Sequence, residues 1–176
     1  MRKLMMAFIL VALSFAGAHA QTGNNQVGIG AEVGIPTGDF GDAFNPGFGA
    51  SVKGLYGVGS AGQVTLTLGY TIFKEKEESG VNLKASILPI MAGYRHNFSG
   101  LYLEPQIGYG SYGLHAKYMG ESESESEGGF TWAAGLGYAM NGLDISARYQ
   151  SGKLEDADSP FSLVGIRIGY NFSLSK

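Results

Sequence analysis

Six charged side chains stand where small or apolar residues flank them on both sides: Glu32, Lys53, Glu104, Asp144, Arg148 and Arg167. Arg95 joins them from a more crowded stretch. Carboxylates and cations placed this way could run general acid–base chemistry, in which one carboxyl gives and another takes a proton. They could equally satisfy one another as an interior ion-pair network, because a charge withdrawn from water needs a partner. Three acids against four bases is close to balance, and balance favours the network. The expected pairs are Glu104 with Arg95, Asp144 with Arg148, and Glu32 with Arg167.

Other candidates are weaker. Gly57-Val-Gly-Ser-Ala-Gly62 matches the spacing of a dinucleotide-binding turn, but that site needs a helix behind it. Gln63-Val-Thr-Leu-Thr-Leu68 has the period of a strand, so the glycines are expected in a tight turn. A serine hydrolase on a lipid-facing surface would need a serine, a histidine and an orienting acid. His96 is expected at a turn, and His115 in a long loop with no serine in phase. Glu121-Ser-Glu-Ser-Glu-Ser-Glu127 offers carboxylate oxygens suited to calcium. No glycine-turn calcium loop frames it, so Glu121, Glu123, Glu125 and Glu127 are expected in a solvated acidic interaction loop; residues 113–118 still alternate, so that this hairpin could project as a ribbon and offer an edge for strand addition. No cofactor, metal or catalytic residue is implied.

The elements that must position these residues are strands. In residues 161–172, Val164, Ile166, Ile168, Tyr170 and Phe172 alternate with Leu163, Gly165, Arg167, Gly169 and Asn171. Such a period of two is what a strand with two unlike faces needs. The same alternation runs through residues 26–35, 47–56, 63–72, 101–111, 130–138 and 143–150. Residues 82–98 hold one more strand, of unfixed phase, with Pro89 suggesting a bulge or an irregular ladder. Residues 36–46, 74–81, 113–129 and 151–160 read as long loops; residues 57–62, 96–100 and 140–142 read as short turns. Asn141-Gly142 is the strongest hairpin signal. Alternating short and long connections predict an eight-stranded antiparallel up-and-down barrel.

Met1-Arg2-Lys3, an apolar run from Leu4 and Ala18-His-Ala20 have the parts of a secretory signal peptide. Residues 1–20 are expected to be removed, leaving a barrel domain at 21–176. The formal charge of −3 then loses Arg2 and Lys3 and becomes −5, which argues against nucleic acid as a partner. There is no cysteine, so neither a disulfide framework nor a lipidated cysteine is available. A soluble barrel would turn its charged face to water. Here the charged face is also the glycine-rich one, as a crowded lumen requires, while the opposite face is aliphatic with Tyr56, Tyr70, Tyr109, Tyr138, Tyr149 and Tyr170 near strand ends. The apolar face is therefore expected to meet lipid.

Gly34-Ile-Pro-Thr-Gly-Asp-Phe40, Leu101-Tyr-Leu-Glu-Pro-Gln-Ile-Gly-Tyr109, Ala134-Gly-Leu-Gly-Tyr138 and Gly165-Ile-Arg-Ile-Gly-Tyr-Asn-Phe172 carry a resemblance over essentially the whole mature chain. The chain resembles the small outer-membrane β-barrels of the OmpA/OmpX type. That resemblance implies a bacterial outer-membrane location with both termini periplasmic. It also implies a monomer in contact with outer-membrane lipids and delivered by the outer-membrane assembly machinery. Tyr170 and Phe172 resemble the C-terminal signal that this machinery reads, although Ser173-Leu-Ser-Lys176 follows where such chains commonly stop. The expected role is structural or interactive, through outward loops meeting an extracellular partner, and non-catalytic. A narrow channel or small-ligand binder is the alternative, and a lipid A-modifying enzyme the third.

Overall fold

The computed structural model describes residues 24–76, 82–118, 121–154 and 160–174. The expected signal peptide lies outside them. Eight strands run in order: β1 (Gln26–Thr37), β2 (Gly47–Val58), β3 (Gly62–Lys74), β4 (Asn82–Phe98), β5 (Leu101–Tyr118), β6 (Glu121–Met140), β7 (Leu143–Leu154) and β8 (Phe161–Ser173). Each pairs antiparallel with its neighbours in sequence, and β8 returns to β1, closing the barrel. The seam runs from Gln26↔Ser173 to Thr37↔Ser162. Closure gives every strand two neighbours, which is what a strand needs where no water can satisfy its amides.

The tight turns follow from local chemistry. Gly59, Ser99, Gly100, Asn141 and Gly142 all have positive φ, the left-handed conformation that hairpin turns demand. At the other end the connections lengthen. Residues 36–46, expected as an unstructured loop, contain a short helix α1 (Asp39–Ala43), and the chain returns through an isolated bridge between Phe44 and Glu75.

Residues 113–129, read as the longest loop, are paired strand: β5 and β6 stay in register out to Tyr118↔Glu121, the ribbon that alternation over 113–118 suggested. Alternation broke off in the acidic run, but the ladder is held by backbone, which serine and glutamate do not interrupt. The phase of β4 is now fixed: Ala85, Ile87, Met91 and Arg95 are buried inside, whereas Leu88, Tyr94 and Phe98 lie exposed outside. Pro89 inserts no extra residue. The β3–β4 register is the same at Leu68↔Ile90 and Thr71↔Ile87, with no ladder pairs between them. Gly69 leaves its Cβ space beside the proline ring.

The lumen is not polar throughout. Phe73, Ala85, Ile87, Tyr112, Phe161 and Leu163 form an apolar cluster near the end with the longer connections, and Phe44 and Phe40 from the α1 segment pack onto it. The rings of Phe40 and Phe161 lie 4.1 Å apart. Phe73, Tyr112, Phe161 and Leu163 hold lumen phase, so their alternation carried the signal for this plug.

Candidate functional site

Below the plug the lumen is filled by side chains that alternation aims inward from seven strands. Glu104 on β5 is the first node. It accepts from Lys53 Nζ at 2.8 and 3.0 Å, Arg95 Nε at 2.9 Å, Thr65 Oγ1 at 3.0 Å and Gln106 Nε2 at 2.8 Å. Asp144 on β7 is the second. It accepts from Arg95 Nη1 at 2.8 Å, the Tyr102 hydroxyl at 2.7 Å and Asn171 Nδ2 at 2.9 Å, with Arg167 Nη1 at 3.3 Å. Arg95 bridges both acids and lies 3.6 Å over the centre of the Tyr102 ring. Arg95 is 1% exposed and Asp144 0%, so neither charge has water as an alternative partner. Both carboxylates are surrounded by donors, the arrangement of a charge being held rather than of a base awaiting a proton.

Two expected pairings are replaced. Asp144 does not meet Arg148, since four residues along one strand span roughly 13 Å. Arg148 instead reaches Glu32 at 2.6 Å. Glu32 and Arg167 are direct partners in register, yet they do not pair. Glycine decides both cases. Gly165 lies between Arg148 and Glu32, where a Cβ would meet Glu32 Oε1 and the Arg148 side chain. Gly30 and Gly169, opposed across the seam, leave the space that the Arg167 guanidinium fills on its way to Asp144 and to Ser51 Oγ at 2.9 Å. Tyr102, Thr65, Gln106, Ser51 and Asn171 were not foreseen as members, although alternation put all five on the charged, glycine-rich face.

On the outer surface, Phe48, Tyr70, Tyr109, Phe130, Trp132 and Tyr149 are exposed toward the end with long connections. Tyr56, Tyr94, Phe98, Tyr138, Tyr170 and Phe172 are exposed toward the end with tight turns. Between them lie Val, Leu and Ile side chains, the aliphatic belt and aromatic girdles of a lipid-facing barrel. The rings of Tyr170 and Phe172 are 4.9 Å apart.

One correction concerns His115. Ser86 Oγ lies 3.3 Å from its Nε2 on the outer face. The pair was hidden because the phase of β4 could not be read. It lacks the third member: among the described residues no carboxylate bonds to His115, and its partner in register is Lys84. The glutamates of the acidic run sit in register opposite Tyr112, Leu114, Ala116 and Tyr118, with Glu125 and Glu127 exposed. No group of acidic, histidine or cysteine residues that could hold a metal ion occurs among the described residues.

The sequence matches the family model of the outer membrane protein beta-barrel domain over residues 7–173. The chain belongs to that family. It is a bacterial outer-membrane β-barrel protein of the small eight-stranded, OmpA/OmpX kind. Its fold is similar to that of Ail from Yersinia pestis, solved with the heparin analogue sucrose octasulfate, with 21% identity over 85% of this chain and 99% of that one and a TM-score of 0.67. Neisserial surface protein A shares 14% identity over 86% and 97%, with a TM-score of 0.61. The N-terminal β-barrel domain of Pseudomonas aeruginosa OprF shares 18% over 86% and 100%, with a TM-score of 0.62. No curated protein matches the sequence.

Proposed function

We propose that this barrel is a non-catalytic envelope protein that contacts an extracellular partner through the β5–β6 ribbon, with both termini periplasmic. One observation supports it most. Among the described residues, the register of β6 with β7 runs as far as Gly129↔Leu154, while β6 goes on pairing with β5 to Glu121. No described residue of β7 or β8 pairs with residues 121–128, so in this reading they offer a strand edge on the β7 side, which an extended segment can join by strand addition. Exposed Glu125 and Glu127 suit a cationic segment and repel a polyanion. In this the ribbon differs in charge preference from what Ail binds in its complex with sucrose octasulfate.

The lumen network, made by Glu32, Lys53, Arg95, Glu104, Asp144, Arg148 and Arg167, acts in this reading as the barrel's polar core. Tyr170 and Phe172 act as the assembly signal, and residues 1–20 as the removed leader. Replacing residues 114–125 by Asn-Gly, together with Glu127→Gln, would remove the ribbon and its exposed glutamates without touching the barrel. Heat-modifiable gel mobility should then be unchanged and attachment of expressing cells to a surface or host cell lost. Full attachment by the shortened protein would sink the proposal. Lipid A mass should be identical with and without expression; an altered mass would favour an enzyme built on Ser86 and His115.

A further inference from the structure

The lipid-facing surface is not uniform. Ala31 and Ala50 are opposed in register between β1 and β2, and the larger Ile29, Val52, Leu68 and Tyr70 surround them. Two small residues side by side in an aliphatic belt leave a groove of about 680 Å³, whose far wall is Leu88 of β4. The strands that wall this groove lead to a row of bases. On β3 the outward positions run Tyr70, Ile72, Lys74; on β4 they run Leu88, Ser86, Lys84. Lys84 stands directly opposite Lys74 on one side and opposite His115 on the other. Lys74, Lys84 and His115 are all exposed, and no described carboxylate pairs with any of them.

Like charges directly opposed in a ladder destabilise it. Scattered lysines at a membrane surface need no more than snorkelling to water. Two lysines directly opposed, with the His115 imidazole in the same register row and strands about 4.8 Å apart, concentrate positive charge where an anion would relieve it. The Ser86 hydroxyl, beside His115, adds a donor to the same spot. Tyr70 and Lys74 are four residues apart, so the row lies roughly 13 Å along the strand from the groove. Charge above and an apolar slot below match one molecule that carries both.

The geometry points to a bound lipid: a phosphorylated lipid of the outer leaflet, its phosphate on Lys74, Lys84 and His115 and an acyl chain in the groove over Ala31 and Ala50. The assignment to the outer leaflet rests on the orientation proposed above.

The refolded protein would be placed in phosphatidylcholine nanodiscs doped with phosphorylated lipid A or with the same lipid after removal of its phosphates. Retained lipid would be counted by native mass spectrometry. The wild type should retain the phosphorylated form roughly tenfold better, an effect of the order expected for two lysines acting on an anionic lipid. Lys74→Gln with Lys84→Gln should bring the two forms to parity, and Ala50→Phe should lower retention of both. Unchanged gel mobility and Trp132 emission would show that the variants fold. No preference in the wild type, or full preference in the lysine double variant, would overturn the site. So would a dimer that Ala50→Phe dissolves. Doped discs carry the lipid in both leaflets, so this readout does not depend on orientation. Orientation is read separately, by labelling the thiol of Ser126→Cys on intact cells. A protected thiol overturns the outer-leaflet assignment, and a labelled thiol with no lipid preference overturns the lipid site alone.

Discussion

Glu104 collects two cations, a threonine hydroxyl and an amide, while Asp144 collects two arginines, a phenol and an amide. Each carboxylate therefore offsets more than one positive charge, and removing one leaves cations facing each other in a dry lumen. Glu104→Ala should destabilise the barrel by about 3–5 kcal/mol, as when one member of a buried pair is lost. Urea unfolding from lipid vesicles, followed through the single tryptophan, Trp132, would measure this. Glu104→Gln keeps the shape and some hydrogen bonds and should cost less. A Glu104→Ala protein that unfolds at the wild-type urea concentration would mean the network does not hold the barrel. At Gly165, a valine would push into both Glu32 and Arg148. The expected cost is about 1–3 kcal/mol, as for other overpacked cores. Because Arg148–Glu32 shares no acid with the larger cluster, the losses from Gly165→Val and Glu104→Ala should add.

At the scale of elements, the seam and the ribbon are where the consequences differ. Gly142 has φ +87°, and a Cβ there would press on the Tyr170 ring. Gly142→Ala should thus strain the β6–β7 turn and displace an aromatic of β8, costing more than about 1 kcal/mol, beyond what a left-handed alanine alone would cost. The same unfolding assay reads it. Phe172→Ala removes an outward ring opposed to Val27 at the seam. If Phe172 is part of the assembly signal, this variant should insert slowly with purified assembly machinery yet refold at the normal rate in detergent. Equal insertion rates would remove Phe172 from that role. Strand identity was legible wherever apolar and small residues alternated, as in β3 and β8. In β4 the strand was legible but its phase was not, because Ile87, Leu88, Ile90 and Met91 give both faces apolar candidates; the pairing itself went unread in the acidic run, where the outward signal of the belt ends.

For the whole molecule, two closures lie in series. The ion-paired layer from Lys53 to Arg167 fills the half with tight turns, and the Phe40–Phe44–Phe73–Phe161 cluster fills the half with long connections. An eight-stranded barrel has an interior just wide enough for side chains. Planar-bilayer recordings of refolded protein should show no conductance steps. Phe73→Ala should still show none, since the charged layer remains below it. Steps in the wild type would favour the channel reading.

What the amino-acid order determined by itself was everything that depends on period and composition: eight strands, which face carries charge, the turns and the membrane class. Those properties are local, because a period of two assigns each residue to a face whatever lies across the ladder. Charges on one face were legible too, as a set. Their pairing was not. Whether Arg148 finds Asp144 or Glu32 depends on where Gly165, Gly30 and Gly169 leave room, and that is settled only when strands distant in sequence are brought into register around a closed, tilted sheet. The Ser86–His115 contact, the apolar plug and the basic row over its lipid groove arise the same way, from neighbours the chain does not make adjacent until it closes.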